Sequence, residues 1–268
     1  MDISVVIPAF NEELRLRPTV EEAVQYFRAR RSAFEIIVVD DGSRDGTSRL
    51  VSEMELVIPE LRLIRLAANR GKGYAVRTGI LNSRGERVLI ADADGSTPMA
   101  EVERLEEALD GGAAVAIGSR ALSSTETEVK AKLYRRLIGR TFHLWVNVFA
   151  VRGIRDTQCG FKLFSGAAAH DLFSRVRMNG FSFDVEVLLN AQRREYRIAE
   201  IPVNWEHRPG SRVNLLMDSL RMARDVVIIR SHAMRRHYDQ SHVAALPLAA
   251  ATRNHEPVRM TAVSTGRF

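Results

Sequence analysis

A single cysteine, Cys159, stands in 268 residues. That excludes an internal disulfide and leaves no partner for thiolate metal or redox chemistry, so a reducing compartment is expected. Long apolar runs are missing too. The first is only Ile3 to Ile7, directly behind Met1 and Asp2, and does not read as a secretory leader. No uninterrupted apolar stretch approaches the ~20 residues of a membrane-spanning helix. Aromatics are few, at 7% with two tryptophans. They do not interleave with the basic residues as stacking platforms, so no nucleic-acid partner is expected. What the chain does have is basic excess, 39 Lys and Arg against 33 Asp and Glu. A net charge of +6 points to an anionic partner such as a nucleotide or a phospholipid surface. Its 46% hydrophobic residues supply the core of one large α/β domain.

Short apolar runs alternate with helical patterns through the first half. Ile3–Ile7, Glu35–Val39, Leu61–Leu66, Val88–Ala91 and Ala113–Gly118 read as buried strands. Between them, 18–31, 47–54, 73–83 and 99–109 carry apolar residues at helical spacing. Such alternation predicts a Rossmann-like, mostly parallel sheet flanked by helices, with right-handed crossovers. Further on, Lys130, Lys132, Arg135, Arg136 and Arg140 precede an aromatic-rich stretch with Trp145 and Phe149. A second basic, apolar stretch runs from about Asn214 to Tyr238. Each reads either as an amphipathic membrane-surface helix or as a core helix with a solvated basic end. From about Gln240 the chain is rich in Ala, Thr and Ser without a sustained pattern, and a disordered tail is expected.

Chemistry gathers where strands end. Asp92-Ala93-Asp94 follows the fourth strand, which places two carboxylates at the carboxyl edge of a sheet, where α/β proteins bind ligands. Two such groups repel unless a cation lies between them, and Mg²⁺ or Mn²⁺ bridges carboxylates to phosphates in this way. Alone, the pattern also suits a solvated turn. Its company strengthens it: Pro8-Ala9-Phe10-Asn11-Glu12 ends the first strand, Asp40-Asp41-Gly42-Ser43 the second, and Asn69-Arg70-Gly71-Lys72-Gly73 follows the third. Parallel strands put all four loops on one edge, a polar crevice in which Lys72 can meet a phosphate.

These blocks, in this order, resemble the family 2 glycosyltransferases of GT-A fold. Gly118-Ser119-Arg120, the run from Arg155 to Phe164, Phe183-Asp184-Val185-Glu186 and Ile201-Pro202-Val203-Asn204-Trp205 resemble the dolichyl-phosphate β-glucosyltransferase branch. The resemblance spans about residues 1–237. It implies a nucleotide-sugar half at about 1–120, an acceptor half at about 121–237, and a tail at 238–268. The implied activity is inverting transfer of a sugar, glucose from UDP-glucose being favoured, to a polyprenyl or dolichyl phosphate. By the same resemblance Pro8, Ala9, Asn11, Glu12, Asp40, Asp41, Lys72, Asp92 and Ala93 hold the nucleotide. Asp94 with Asp92 takes the metal, and Ser96 falls where related synthases have a third ligand. Arg120, Arg135, Arg208, Ser211 and Arg212 meet the acceptor phosphate.

A phosphate acceptor needs little help to attack. With a second pKa near ~6 it is largely dianionic at neutral pH, so Asp94, Arg120 and Asp156 form the expected catalytic set without a dedicated base. A hydroxyl acceptor would instead require Asp156 as general base, and Asp156 also reads as a local turn former. Asp184 or Glu186 is a candidate to orient the Asp156 turn. A nucleotidyltransferase is disfavoured because Pro-Ala-Phe-Asn-Glu, rather than a glycine- and arginine-rich loop, ends the first strand. A non-catalytic nucleotide-binding module at a membrane surface is the remaining alternative. A polyprenyl acceptor implies a cytoplasmic protein in peripheral contact with anionic membrane.

Overall fold

The computed structural model describes residues 1–122, 127, 129–130, 151–208 and 215–240. Its centre is a seven-stranded sheet in the order β3-β2-β1-β4-β7-β5-β8. The strands are β1 (Ile3–Ala9), β2 (Phe34–Asp40), β3 (Leu61–Arg65), β4 (Arg87–Ile90), β5 (Val115–Ser119), β7 (Lys162–Ser165) and β8 (Ile198–Pro202). β6 (Val129–Lys130) and β9 (Trp205–Glu206) form a separate parallel pair. The five strands expected from the sequence are all present. All strands of the large sheet run parallel except β7, which lies antiparallel between β4 and β5.

Burial on both faces explains the composition of the strands. Every residue of β2 is buried, as expected for a parallel strand covered by helices on each side. Ile3, Val5 and Ile7 face one core with α1 (Leu16–Ala29), α2 (Thr47–Glu55) and α4 (Val102–Asp110). Val6, Val88 and Ile90 face the other, with α3 (Lys72–Leu81), α5 (Gly166–Phe173), α6 (Phe183–Arg193) and α7 (Leu215–Met234). In α3, a Cβ at Gly79 would collide with Val6 and Val39. Only glycine lets this helix lie so close to the sheet. Pro18 falls in the first turn of α1, where its missing N–H removes no helical bond.

β7 was not expected. Its direction brings its first residue, Lys162, to the same edge at which its parallel neighbours end. The long stretch expected as a helix from Asn214 to Tyr238 is α7 followed by a turn. The folded unit also runs past 237, the expected boundary of the tail. Tyr238 is buried, and its hydroxyl donates to Glu186 Oε1 at 2.7 Å. The aromatic stretch with Trp145 and Phe149, and the tail from 241 onward, lie outside the described residues.

Candidate active site

The crevice at the carboxyl edge is shaped first by backbone locks. Asn11, in the left-handed region at φ 55°, accepts from Arg44 N through Oδ1 at 2.7 Å. Its own N–H donates to Ser43 Oγ at 2.8 Å. Glu12 N donates to Thr47 Oγ1 at 2.8 Å, and Arg15 Nε donates to the Glu12 carboxylate at 2.7 Å. Asp40 is fully buried and accepts from Ser43 N at 2.9 Å and from the Ser48 hydroxyl. Asp41 N donates to Ala9 O at 2.8 Å, beside Pro8 in β1. The Asp41 carboxylate accepts from Arg70 N and Gly71 N at 2.7 and 2.8 Å. Burial raises its pKa against the pull of those two N–H groups. Asp40 and Asp41, both buried, therefore brace the loops around the crevice.

The paired carboxylates lie at the centre. Lys72 Nζ donates to Asp92 Oδ1 at 2.6 Å. Burial works against ionisation of Asp92, yet Lys72, Lys162 and Arg120 together hold its pKa below the usual range. Asp94 accepts from Ser96 N at 3.0 Å, and its other oxygen lies 3.8 Å from Arg15 Nη1. Between them, Ala93 O accepts from Thr19 Oγ1 at 3.0 Å and fixes the turn. Among the described residues no cluster of three or more His, Cys, Asp or Glu side chains forms a protein-built metal cage. Two carboxylates beside an open edge fit a hard divalent cation that takes its remaining oxygens from a diphosphate and water.

Next to them, Arg120 and Asp156 make a forked ion pair. Nε and Nη2 donate to the two carboxylate oxygens at 2.7 and 2.9 Å, and Arg120 N donates at 3.0 Å. Burial alone would raise the Asp156 pKa, but the Arg120 guanidinium brings it down to about 2. Arg120 shifts upward in return, against its own desolvation. The Trp205 ring lies under the guanidinium, 5.4 Å from Cζ. Glu200 on β8 holds the Asp156 turn: Oε1 accepts from Asp156 N at 2.8 Å and from Ser119 Oγ at 2.7 Å, and Oε2 from Arg155 N at 2.9 Å. Between the Asp94 turn and β9 lies a hollow of about 130 Å³ lined by Gly95, Ser96, Asn204, Trp205, Glu206 and Arg208. Arg208 is exposed there and lies 3.5 Å from Glu206. Arg135, Ser211 and Arg212 lie outside the described residues.

Residues 4–173 match the model of glycosyl transferase family 2. The chain belongs to that family. This transferase is 42% identical to the human dolichyl-phosphate beta-glucosyltransferase over 241 residues, covering 85% of this chain and 74% of the human one. The Saccharomyces cerevisiae protein of the same name is 40% identical over 246 residues, with the same coverage. Among solved structures, glucosyl-3-phosphoglycerate synthase from Mycobacterium tuberculosis with UDP superposes with a TM-score of 0.62 at 18% identity, covering 85% of this chain and 78% of that one. The same enzyme with Mn²⁺, UDP-glucose and phosphoglyceric acid gives 0.60 at 20%. At such identities the likeness speaks to the fold, which is GT-A.

The structure brings Glu200, Lys162 and Arg15 to the crevice as well. Glu200 holds the Asp156 turn directly; Asp184 reaches the same loop only through Lys162, and Glu186 bonds elsewhere. Asp184 and Glu186 both lie on α6. Asp184 accepts from Lys162 Nζ at 2.6 Å. Glu186 accepts from Arg177 N, Met178 N and the Tyr238 hydroxyl. Arg15, 3.8 Å from Asp94, stands three positions beyond the Pro8–Glu12 block and carries no signal in the sequence. Cys159 is buried and its thiol is pushed up to about 11, first by desolvation, in keeping with a small core filler.

Proposed function

We propose that this transferase moves glucose from UDP-glucose to a polyprenyl phosphate, with inversion and with a divalent cation, Mg²⁺ or Mn²⁺, at Asp92 and Asp94. The names of its 40%-identical relatives support the donor sugar and acceptor class. The observation that carries the mechanism is the Arg120–Asp156 fork. Arg120 engages both Asp156 oxygens and holds the carboxyl below its usual range, which makes Asp156 a poor base for a hydroxyl proton. A dianionic phosphate brings its own nucleophilic oxygen.

The chain's own residues then have distinct tasks. The β1 and β2 loops, through Pro8 to Glu12 and Asp40 to Ser43, wall the nucleotide. The Nη1 edge of Arg120, held in orientation by Asp156 and Trp205, meets the acceptor phosphate; Arg208, on the hollow beside the Asp94 turn, adds a second cation, and Arg135, Ser211 and Arg212 are the further acceptor-phosphate residues that the family resemblance implies. Lys72 moves from Asp92 toward the donor diphosphate when the donor enters, contributing electrostatic stabilisation of the departing nucleoside diphosphate. Bound at the two carboxylates, the cation supplies Lewis-acid neutralisation of that same leaving group. The exposed side of α7 makes peripheral contact with anionic membrane, placing the transferase at the cytoplasmic surface where the acceptor lies.

The test is product formation. Purified protein is incubated with labelled UDP-glucose, a polyprenyl phosphate and Mn²⁺, with GDP-mannose and a chelator in parallel arms. The expected result is an anionic, acid-labile glycolipid from UDP-glucose alone, lost with chelator. Equal labelling from GDP-mannose would overturn the donor assignment, and full activity in chelator would overturn the cation.

A further inference from the structure

Beneath the crevice lies a charge pair to which the proposed transfer assigns no step. Lys162 is 0% exposed. It opens β7, where its Cα pairs with Ile90 on one side and Ile117 on the other. Its Nζ donates to Asp184 Oδ1 at 2.6 Å and to the carbonyl of Cys159. Asp184 is also buried and belongs to the first turn of α6, where a carboxylate complements the helix dipole. α6 is anchored in turn by Ser182 Oγ, which donates to Asp225 Oδ2 on α7 at 2.8 Å. A buried ion pair is a poor source of stability, because apolar residues of similar volume generally serve as well or better. Its use lies in what it locates.

What it locates is the Cys159–Gly160 turn. A Cβ at Gly160 would fall inside van der Waals contact with the Asp92 carboxylate, meeting both oxygens and Cγ. The turn is therefore the wall against which Asp92 rests, and Lys72 approaches Asp92 at Oδ1. The chain of contact runs Asp184, Lys162, Cys159 carbonyl, Gly160, Asp92, without a break. We infer that Lys162 is a positioning residue of the donor site: clamped by Asp184, it fixes the Cys159–Gly160 turn and so sets where the Asp92 carboxylate meets the cation and the donor diphosphate. The inference rests on the reading of Asp92 as a partner of the cation-bound donor.

Calorimetric titration with Mn²⁺ and UDP tests it without relying on turnover. The double variant Lys162→Met/Asp184→Leu removes both buried charges together, so neither is left unpaired. It is expected to melt near the wild-type temperature yet to bind Mn²⁺·UDP about 10–100-fold more weakly, the range for loss of a residue that orients a metal ligand. Asp184→Asn keeps an oxygen for Lys162 and is expected to stay within about threefold of wild type, well short of that range. A folded double variant with wild-type affinity would reduce the pair to a structural role and overturn the inference. Should the double variant fail to fold, Gly160→Ala decides. It displaces Asp92 while leaving the pair intact, and unchanged affinity there overturns the inference equally. Wild-type protein that takes up neither Mn²⁺ nor UDP would sink the donor-site reading and this inference with it.

Discussion

In the proposed reaction, the Asp156 carboxylate and the Arg120 guanidinium decide which acceptor the crevice can serve. Asp156→Asn removes the ionic half of the fork and leaves Arg120 with an amide. The expected cost is about 1–3 kcal/mol, as for losing a hydrogen bond to a charged group. The folded pKa of about 2 lies below the unfolded value near ~3.9. The contribution of Asp156 to stability is therefore complete above about pH 4 and fades as pH falls toward 2. The gap in Tm between wild type and Asp156→Asn should close over that window; a gap constant down to pH 2 would contradict the assigned state. The acid limb of kcat/KM for a phosphate acceptor is expected near ~6, where its second proton leaves, in both proteins. Much of this site could be read from sequence, because Asp92, Asp94, Lys72 and Arg120 follow strand ends in long ordered motifs. The Lys162–Asp184 pair could not. A lysine two residues after a glycine reads as solvated, and only the third dimension buries it.

Elements were legible where periodicity was strong. The five strands from β1 to β5 and the helices among them announce themselves by apolar runs and polar loops. β7 did not: four residues beginning with a lysine carry no period, and its placement between β4 and β5 depends on long-range pairing. Its neighbourhood makes a prediction about β8. Glu200 accepts from Ser119, Arg155 and Asp156 at once, so β8 fastens the Asp156 turn to the end of β5. Glu200→Ala strands these donors at a cost of about 1–3 kcal/mol. Hydrogen exchange should quicken first at Arg155 and Asp156, with kcat/KM falling at least about tenfold, as when a supporting contact to a catalytic group is lost. Unchanged exchange at those two amides would show that the turn is held by other means.

For the molecule as a whole, the question is how a chain without a described helix long and apolar enough to cross a membrane reaches a lipid-borne acceptor. The exposed side of α7 carries Arg224 and Arg230 together with Val227 at 56% and Met234 at 70% exposure, a mixture suited to an anionic bilayer surface. Arg224→Gln/Arg230→Gln should weaken binding to anionic vesicles by roughly 30-fold, at about 1 kcal/mol per charge. High salt should release the wild type, and equal binding to neutral vesicles would contradict the electrostatic part. In the proposed reaction the acceptor supplies its own nucleophile. This is tested most directly by offering the purified transferase a polyprenyl phosphate and the polyprenol of the same chain length, each with labelled UDP-glucose and Mn²⁺. Glycolipid is expected from the phosphate and none from the alcohol; comparable labelling of the alcohol would show that a hydroxyl can be the nucleophile here.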